Sequence, residues 1–368
     1  MAETFPEYGI EFEVLYMAAI EPDRSWTIPL ESFKYPYYIF RGIHPTISNF
    51  YAHFNPGLLL RLLKNDYDLA VVGGMASPTH WLAPFFIGPN KVQIMSIESN
   101  LQSVERKTGL GAWLKRKLLA RASAYQITGA PQREYVEYFC PEACRKPFIT
   151  LPNLIDENVF VTRVDALRKD REDLRKEYGV NSDEQMWILP ARLITIKGII
   201  PFIQLLDNIR GTKLFVIGEG ELKYSIISLC KAKNIPVSLP GFVQQEEMIR
   251  YYAAADLFVL PSLKDPSPLS PIEACAAGLP LLVSSQIGNL EDVVVPGLNG
   301  WSYDTLTEQH IGKKLVSQIA GMSRECLREM GSKSRERYMQ RFETRHNIEI
   351  YAKTILQIMN SSHGETEQ

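Results

Sequence analysis

Short apolar runs alternate with longer mixed stretches along most of the chain. They occupy positions 68–74, 92–97, 124–129, 187–190, 213–218, 257–260 and 280–284. Runs that are apolar throughout predict strands buried on both faces, and the mixed stretches between them predict helices. The pattern therefore predicts an α/β protein built from two Rossmann-like, doubly wound units.

A charged and polar segment over 161–185 separates the two groups of runs, so we place the domain boundary near residue 182. This gives an N-terminal domain over 1–181 and a C-terminal domain over 182–344. The first strand signal, at 11–16, comes early in the chain. The N-terminal unit would therefore lack the usual first strand and its Gly-rich turn.

The end of the chain has its own pattern. Apolar residues recur at helical spacing after position 345, which predicts an amphipathic helix over 345–360 that could pack back on the N-terminal domain. The polar residues 361–368 are expected to form a flexible tail.

Composition narrows the function classes. The length of 368 residues exceeds the ~250–300 at which a single hydrophobic core stops growing, which favours two domains. A net charge of −2 gives no overall electrostatic field that would hold nucleic acid. The five dispersed cysteines form neither a disulfide framework nor a zinc ligand set. No apolar run reaches the ~20 residues of a membrane span and no signal pattern opens the chain, so we expect a cytoplasmic location.

Two basic residues, Arg192 and Lys197, lie just after the apolar run 187–190. The Arg192 guanidinium can bind two oxygens of a diphosphate, and Lys197 can add a point charge to a neighbouring oxygen. Together they could stabilise a departing nucleotide diphosphate. A strand-end arginine and an exposed lysine without any ligand are the alternative.

Gly218 and Gly220 follow the run 213–218 in the order Gly-Glu-Gly. Glycines at a strand-to-helix turn let the backbone approach a ligand closely, but a plain tight turn has the same pattern.

Residues 265–280 begin just past the run 257–260, at the carboxyl end of a buried strand, where open α/β sheets bind their ligands. Ser270, Pro271 and Glu273 fit an N-cap, a first-turn proline and a capping-box glutamate, which predicts a helix here. The N-terminal N–H groups of that helix would favour a phosphate. The alternatives are that Glu273 only caps the helix and that Asp265 only forms a turn before proline.

Taken together, these features resemble glycosyltransferase family 4, whose retaining enzymes have the GT-B fold of two Rossmann-like domains facing a central cleft. Asp265 and Glu273 have the spacing of that family's two acidic residues, with seven positions between them. The resemblance covers roughly 145–350 and includes Pro152-Asn153, Arg192, Lys197-Gly198, Gly218-Glu219-Gly220, Gly241, Ala255-Asp256-Leu257-Phe258, Glu291, Gly297 and Asn299-Gly300.

The resemblance implies a role for each matching residue. Arg192 and Lys197 would bind the diphosphate, Glu273 the ribose hydroxyls, and Asp265 would face the donor sugar. The remaining donor contacts would come from Gly218, Gly220, Pro268, Leu269, Ser270 and the loop at Gly241 and Phe242.

Three positions depart from the family pattern. Asp265 stands where the family usually has glutamate, and Pro268 falls where many members have glycine. The family's N-terminal-domain histidine has no clear match, and His80 and Glu98 are the nearest candidates by position.

The implied function is transfer of a hexose or N-acetylhexosamine from a nucleotide-diphosphate sugar, such as a UDP- or GDP-sugar, to a glycan, lipid-linked or other hydroxyl acceptor. The nucleotide sugar is a co-substrate, and neither a cofactor nor a metal is expected. A catalytically silent nucleotide-sugar-binding homologue is one alternative, and a nucleotide-sugar epimerase is a less favoured one.

A basic segment over 113–121, Trp-Leu-Lys-Arg-Lys-Leu-Leu-Ala-Arg, fits an amphipathic helix that could rest on an anionic membrane surface. The inner face of the membrane would then be a peripheral location for the protein. A solvated face on a core helix explains the same pattern.

Overall fold

The computed structural model describes residues 1–19, 30–47, 50–75, 77–88, 90–104, 107–207, 209 and 211–364. The chain divides into two compact units. The first consists of Met1–Pro152 together with Arg345–Gln368, and the second is Asn153–Thr344. None of the helices in the described ranges has both the length and the apolar character that a bilayer crossing requires.

The first unit is organised around a four-stranded parallel sheet in the order β5-β6-β7-β8. A parallel pair, β1 and β2, and an antiparallel pair, β3 and β4, precede it. The strands are β1 (Val14–Tyr16), β2 (Tyr37–Ile39), β3 (Thr46–Ile47), β4 (Phe50–Tyr51), β5 (Leu69–Gly73), β6 (Val92–Ile97), β7 (Ala124–Ile127) and β8 (Phe148–Thr150). The helices are α1 (Pro56–Lys64), α2 (Pro78–Phe86), α3 (Leu110–Arg121) and α4 (Ala130–Phe139).

The second unit contains a six-stranded parallel sheet in the order β11-β10-β9-β12-β13-β14, with helices between successive strands. Its strands are β9 (Gln185–Pro190), β10 (Thr212–Ile217), β11 (Val237–Gly241), β12 (Leu257–Leu260), β13 (Leu281–Ser284) and β14 (Gly300–Tyr303). Its helices are α5 (Glu157–Leu167), α6 (Arg171–Glu177), α7 (Ile199–Leu205), α8 (Lys223–Ala232), α9 (Gln245–Ala254), α10 (Ser270–Ala276), α11 (Leu290–Val293), α12 (Gln309–Ala320) and α13 (Arg324–Arg341). The seven strand predictions are confirmed.

The division between the units falls earlier than the boundary that we expected near residue 182. The charged segment contains α5 and α6, and their apolar residues pack into the core of the second unit. Phe160, Val164 and Leu174 lie in one buried cluster with Tyr252 and Phe258. These contacts assign the segment to the second unit, so the boundary is corrected to Pro152 and Asn153.

The last helix, α14 (Thr344–Gly364), extends past the helix end expected at residue 360. It packs on the first unit, where Tyr351 stacks on Phe5 and its hydroxyl donates to Gln126 Oε1 at 2.7 Å. Part of the expected tail, 361–364, is therefore helical, and 365–368 lie outside the described residues.

A buried ion network lies where β12 begins. Asp256 is 1% exposed and binds Arg171 Nη2 and Arg175 Nη1 at 2.6 and 2.7 Å. It also accepts from the Met186 N–H and from Arg324 Nε. A carboxylate this buried is stable only with such partners, so the network joins α6, β9 and α13 at one point.

Candidate functional site

The sequence-predicted basic and Gly-rich segments meet at one edge of the second sheet. Four neighbouring parallel strands, β11, β10, β9 and β12, end at this edge because parallel strands share a direction. Arg192 follows β9, Gly218 and Gly220 follow β10, Gly241 ends β11, and Asp265 lies in the loop after β12. Arg192 is exposed, and Phe242 beside Gly241 is also exposed.

Close packing between these loops explains the glycines. A Cβ atom on Gly218 would lie 2.1 Å from the Ala191 carbonyl oxygen, and one on Gly198 would lie 2.0 Å from the Pro261 carbonyl oxygen. Gly198 also has a φ of 65°, in the region that favours glycine. The Gly-Glu-Gly turn thus brings the chain against its own backbone at the end of β9, and no ligand is needed to account for it.

Lys197 and Asp265 form an ion pair, with Nζ and Oδ2 separated by 2.6 Å. Both side chains are largely buried, at 19% and 13% exposure. Their loops are joined by a hydrogen bond from the Leu263 N–H to the Ile196 carbonyl at 2.8 Å. The structure therefore brings together two predicted site residues that stand 68 positions apart.

Glu273 lies on α10, and its Oε2 accepts a hydrogen bond from the Tyr252 hydroxyl of α9 at 2.8 Å. Tyr252 is fully buried. Burial raises the pKa of Glu273, and the Tyr252 hydroxyl opposes that rise by stabilising the carboxylate. The carboxylate is thus held by a tertiary contact.

The predicted capping box is wrong. Leu269, with helical dihedrals of −77° and −35°, is the residue before the first helical one, and its side chain makes no capping hydrogen bond to α10. Ser270 is inside the helix, so its hydroxyl is not at the cap position, and Glu273 binds Tyr252 instead. The prediction of Pro271 in the first turn is confirmed.

The loop that leads into α10 is fixed from both sides. Asn153 Nδ2 donates to the Ser267 carbonyl at 2.9 Å, and Asn289 Nδ2 donates to the Pro268 carbonyl at the same distance. Leu269 is exposed, and the Ser270 carbonyl accepts from the Tyr252 hydroxyl at 3.3 Å. The loop is thereby held with Leu269 facing outward.

Sequence reasoning missed the parts played by Tyr252, Asn153 and Asn289. Asn153 was recognised only as one residue of a motif, and nothing in the local pattern assigns it to Ser267. In the sequence, Tyr252 is not distinguishable from the apolar residues of α9, because its hydrogen-bond partner, Glu273, is on another helix. The hydrogen-bond partners of buried polar groups can be identified only from the folded structure.

In the first unit, the candidate His80 is partly buried, and its Nδ1 has no hydrogen-bond partner among the residues that the structure describes. Burial, with a smaller effect of His53, lowers the pKa of His80 to about 4, so its imidazole is neutral at pH 7. Glu98 is exposed. Among the described residues, no group of three or more His, Cys, Asp or Glu could hold a metal ion.

The family match to known proteins lies within the second unit. Residues 170–337 match the family model for glycosyl transferases group 1. The matched range holds the Lys197–Asp265 pair, Glu273 and every loop of the strand edge described above. The matched model describes group 1 and does not specify a narrower family.

Curated relatives agree with this match over part of their length. An uncharacterised glycosyltransferase of Methanocaldococcus jannaschii is 32% identical over 141 residues, which are 37% of this chain and 36% of that protein. The N-acetyl-alpha-D-glucosaminyl L-malate synthase of Bacillus anthracis is 24% identical over 209 residues, which are 56% of this chain and 52% of that protein. The chain thus spans about a third to a half of the length of these relatives.

Solved structures match nearly the whole chain. A sucrose-phosphate synthase from Thermosynechococcus elongatus has a TM-score of 0.69 and 17% identity, covering 99% of this chain and 92% of that one. Anabaena HepE in complex with UDP-glucose has a TM-score of 0.64 and 18% identity, covering 89% of this chain and 87% of that one. These likenesses concern the fold, and the predicted GT-B fold with two Rossmann-like units is confirmed.

Proposed function

We propose that this chain is a retaining glycosyltransferase of family 4 that moves a hexose or N-acetylhexosamine from a nucleotide-diphosphate sugar to a glycan, glycolipid or other hydroxyl acceptor. The observation that carries the proposal is the strand edge of the second unit, where the Lys197–Asp265 pair and Glu273 lie within a segment matching group 1 transferases. The HepE complex supports UDP-glucose as the first donor to test.

Each group has a defined task in this proposal. Lys197 and Arg192 bind the diphosphate, and their charges stabilise the leaving group. Asp265 holds Lys197 through Oδ2 and binds a hydroxyl of the donor sugar through its carboxylate. Glu273, which is oriented by Tyr252, accepts hydrogen bonds from the ribose hydroxyls.

Retention follows from a front-face path. The bond from the anomeric carbon to the diphosphate oxygen breaks as the acceptor oxygen bonds to the same face of that carbon. The acceptor proton passes to the released phosphate oxygen. No dedicated protein base is required, because the positive groups stabilise the leaving diphosphate.

Donor turnover is the direct test. UDP- and GDP-sugars are screened by thermal shift, and donors that bind are then assayed for hydrolysis and transfer. Binding with hydrolysis or transfer supports the enzyme. Binding without any turnover supports a silent nucleotide-sugar-binding protein instead, and unaltered donor binding by Glu273→Ala would remove Glu273 from the site.

Tyr252→Phe tests the orientation of Glu273. Loss of one hydrogen bond to a carboxylate should raise the donor KM about tenfold with little change in kcat. The Tyr252 hydroxyl lowers the pKa of Glu273, so its removal should raise that pKa further and move the acid limb of the pH profile of donor binding to higher pH.

Tyr251→Phe is the matched control, because the ring of the neighbouring Tyr251 stacks on Tyr178. Among the described residues, the side-chain hydrogen bond to Glu273 comes from Tyr252 and not from Tyr251. Its donor KM and pH profile should equal those of the wild type. If Tyr252→Phe left the pH profile in place, Tyr252 would have only a packing role.

We further propose that α3 touches an anionic membrane. Leu110 and Trp113 are 80% and 56% exposed, and Phe85 of α2 is 59% exposed. Lys117 Nζ lies 6.0 Å from the Trp113 ring, and Arg121 lies 4.4 Å from the Phe85 ring. Exposed apolar side chains flanked by cations suit a lipid interface.

Trp113→Ala should reduce sedimentation with anionic liposomes several-fold, because a large apolar anchor is lost. Tyr224→Ala, which removes a still more exposed aromatic side chain from the second unit, should have no effect. Sedimentation that does not depend on the anionic lipid fraction would contradict this proposal.

A further inference from the structure

The loop between β12 and α10 that carries Asp265 has few backbone N–H groups of its own. Its sequence over 265–268 is Asp-Pro-Ser-Pro, and a proline has no N–H. Half of the loop residues therefore cannot donate a backbone hydrogen bond, and the loop must be held largely through its carbonyl oxygens. The groups that donate to these carbonyls decide where Asp265 lies.

The segment 285–289, which follows β13, fixes the Asp265 end of the loop. The Gly288 N–H donates to the Asp265 carbonyl at 2.8 Å, and the Asp265 N–H donates to the Gln286 carbonyl at 3.3 Å. Asp265 and Ile287 thereby form a parallel bridge beyond the ends of β12 and β13. These contacts use backbone groups, so a side-chain substitution does not remove them directly.

Asn289, the last residue of the same segment, fixes the other end of the loop through its side chain. Its Nδ2 donates to the Pro268 carbonyl at 2.9 Å. Asn289 is 6% exposed, and Pro268 is buried as well. Bulk water cannot readily replace a bond between two buried groups, so loss of the amide N–H would leave the Pro268 carbonyl unpaired or move the loop.

Pro268 lies at the junction between two proposed donor contacts. Asp265 precedes it by three residues, and α10, which carries Glu273, begins two residues after it. A shift of the Pro268 peptide would therefore change the separation of two carboxylates that must meet the same nucleotide sugar. Groups that act on one ligand need to be held within about 0.5 Å of the productive geometry.

We propose that Asn289 is a positioning residue for the donor sugar. It does not touch the sugar but holds the Pro268 carbonyl, so that Asp265 meets a hydroxyl of the sugar while Glu273 binds the ribose. The inference rests on the proposed function and adds to it a residue that acts through the loop.

Asn289→Asp and Asn289→Leu remove the amide N–H in two ways. Both new side chains are close in size to asparagine, but a carboxylate can only accept hydrogen bonds and leucine makes none. Near neutral pH each variant should lose about tenfold in kcat/KM for the nucleotide sugar found in the screen above, the effect of one lost hydrogen bond. The KM for the acceptor should not change.

A pH profile separates the hydrogen bond from the space that Asn289 fills. A protonated carboxyl group has an O–H that can donate to the Pro268 carbonyl, and burial favours this uncharged form. The kcat/KM of Asn289→Asp, divided by that of the wild type at the same pH, should therefore rise toward one as the pH falls. The same ratio for Asn289→Leu should stay flat, because leucine has no proton to gain.

Hydrogen exchange of the free protein, followed by mass spectrometry, tests the anchoring without any turnover. Near neutral pH, amide exchange over 265–270 should become about tenfold faster in both variants, whereas exchange over α9 should not change. Gln185→Glu is the matched control, because Gln185 is buried at the amino end of β9 and its Nε2 donates to the Met322 carbonyl at 2.7 Å. It should keep the wild-type exchange over 265–270 and the wild-type kcat/KM.

The outcomes distinguish this inference from the proposed function. A wild-type protein that turns over no nucleotide sugar contradicts the proposed function, and the inference falls with it. A wild type that turns over its nucleotide sugar, together with Asn289 variants of unchanged kcat/KM, overturns the inference alone. Unchanged exchange over 265–270 in both variants, or a ratio for Asn289→Asp that stays flat with pH, also overturns it.

Discussion

Replacing Lys197 with alanine is expected to lower sugar transfer by about 10²- to 10³-fold, the loss seen when one group that stabilises developing charge is removed. The fold holds Lys197 in place at the strand edge, through Asp265 at 2.6 Å and through Gly198, which packs against Pro261. The loss should appear mainly in kcat, because the lysine acts most strongly on the leaving diphosphate. Steady-state kinetics with the identified donor measure the effect.

Lys233→Ala is a matched control for this experiment. Lys233 pairs with Asp207 at 2.7 Å and is 23% exposed, close to the 19% of Lys197, but it follows the carboxyl end of α8. Its removal should leave transfer unchanged. If both variants lost the same activity, or if Lys197→Ala transferred sugar at the wild-type rate, Lys197 would have no role in the chemistry.

The sequence predicted the sheets well for a physical reason. Strands buried on both faces must be apolar throughout, so runs such as 213–218 and 257–260 are visible without knowledge of their neighbours. The segment with α5 and α6 was harder. Polar residues dominate its pattern. The few apolar residues that assign it to the second unit, such as Phe160 and Leu174, are recognisable as core residues only through the residues they pack against.

The site was predictable only in outline. Placing Arg192, Lys197 and Asp265 after strands predicts that they share one sheet edge, because parallel strands end together. The pairing of Lys197 with Asp265 depends on how two loops pack, and the pairing of Glu273 with Tyr252 depends on the approach of α9 to α10. The local pattern around Glu273 favoured a capping box, and a tertiary hydrogen bond prevailed over it.

Replacing Asp256 with alanine should destabilise the second unit by about 3 to 5 kcal/mol, the cost of leaving buried cations without their counter-charge. Arg175 is 1% exposed and pairs with Asp256, so it cannot regain solvent without local unfolding. Urea unfolding followed by circular dichroism measures the change. Asp207→Ala breaks the pairs that the half-exposed Asp207 forms with Lys233 and Lys313, and it should cost under about 1 kcal/mol. Equal losses in the two variants would contradict the buried-network argument.

The same network predicts a pH dependence. Burial by itself would raise the pKa of Asp256, but Arg171 and Arg175, together with the Met186 N–H and Arg324, outweigh burial and hold the pKa below its ordinary value of 3.8. Because the folded-state pKa is depressed, the stabilisation is fully present above the ordinary value and is lost as the pH falls below it toward the folded pKa. The wild type should therefore lose unfolding free energy more steeply than Asp256→Ala as the pH falls below about 4. Parallel pH profiles for the two proteins would show that the Asp256 carboxylate is not held in its charged form by the arginines.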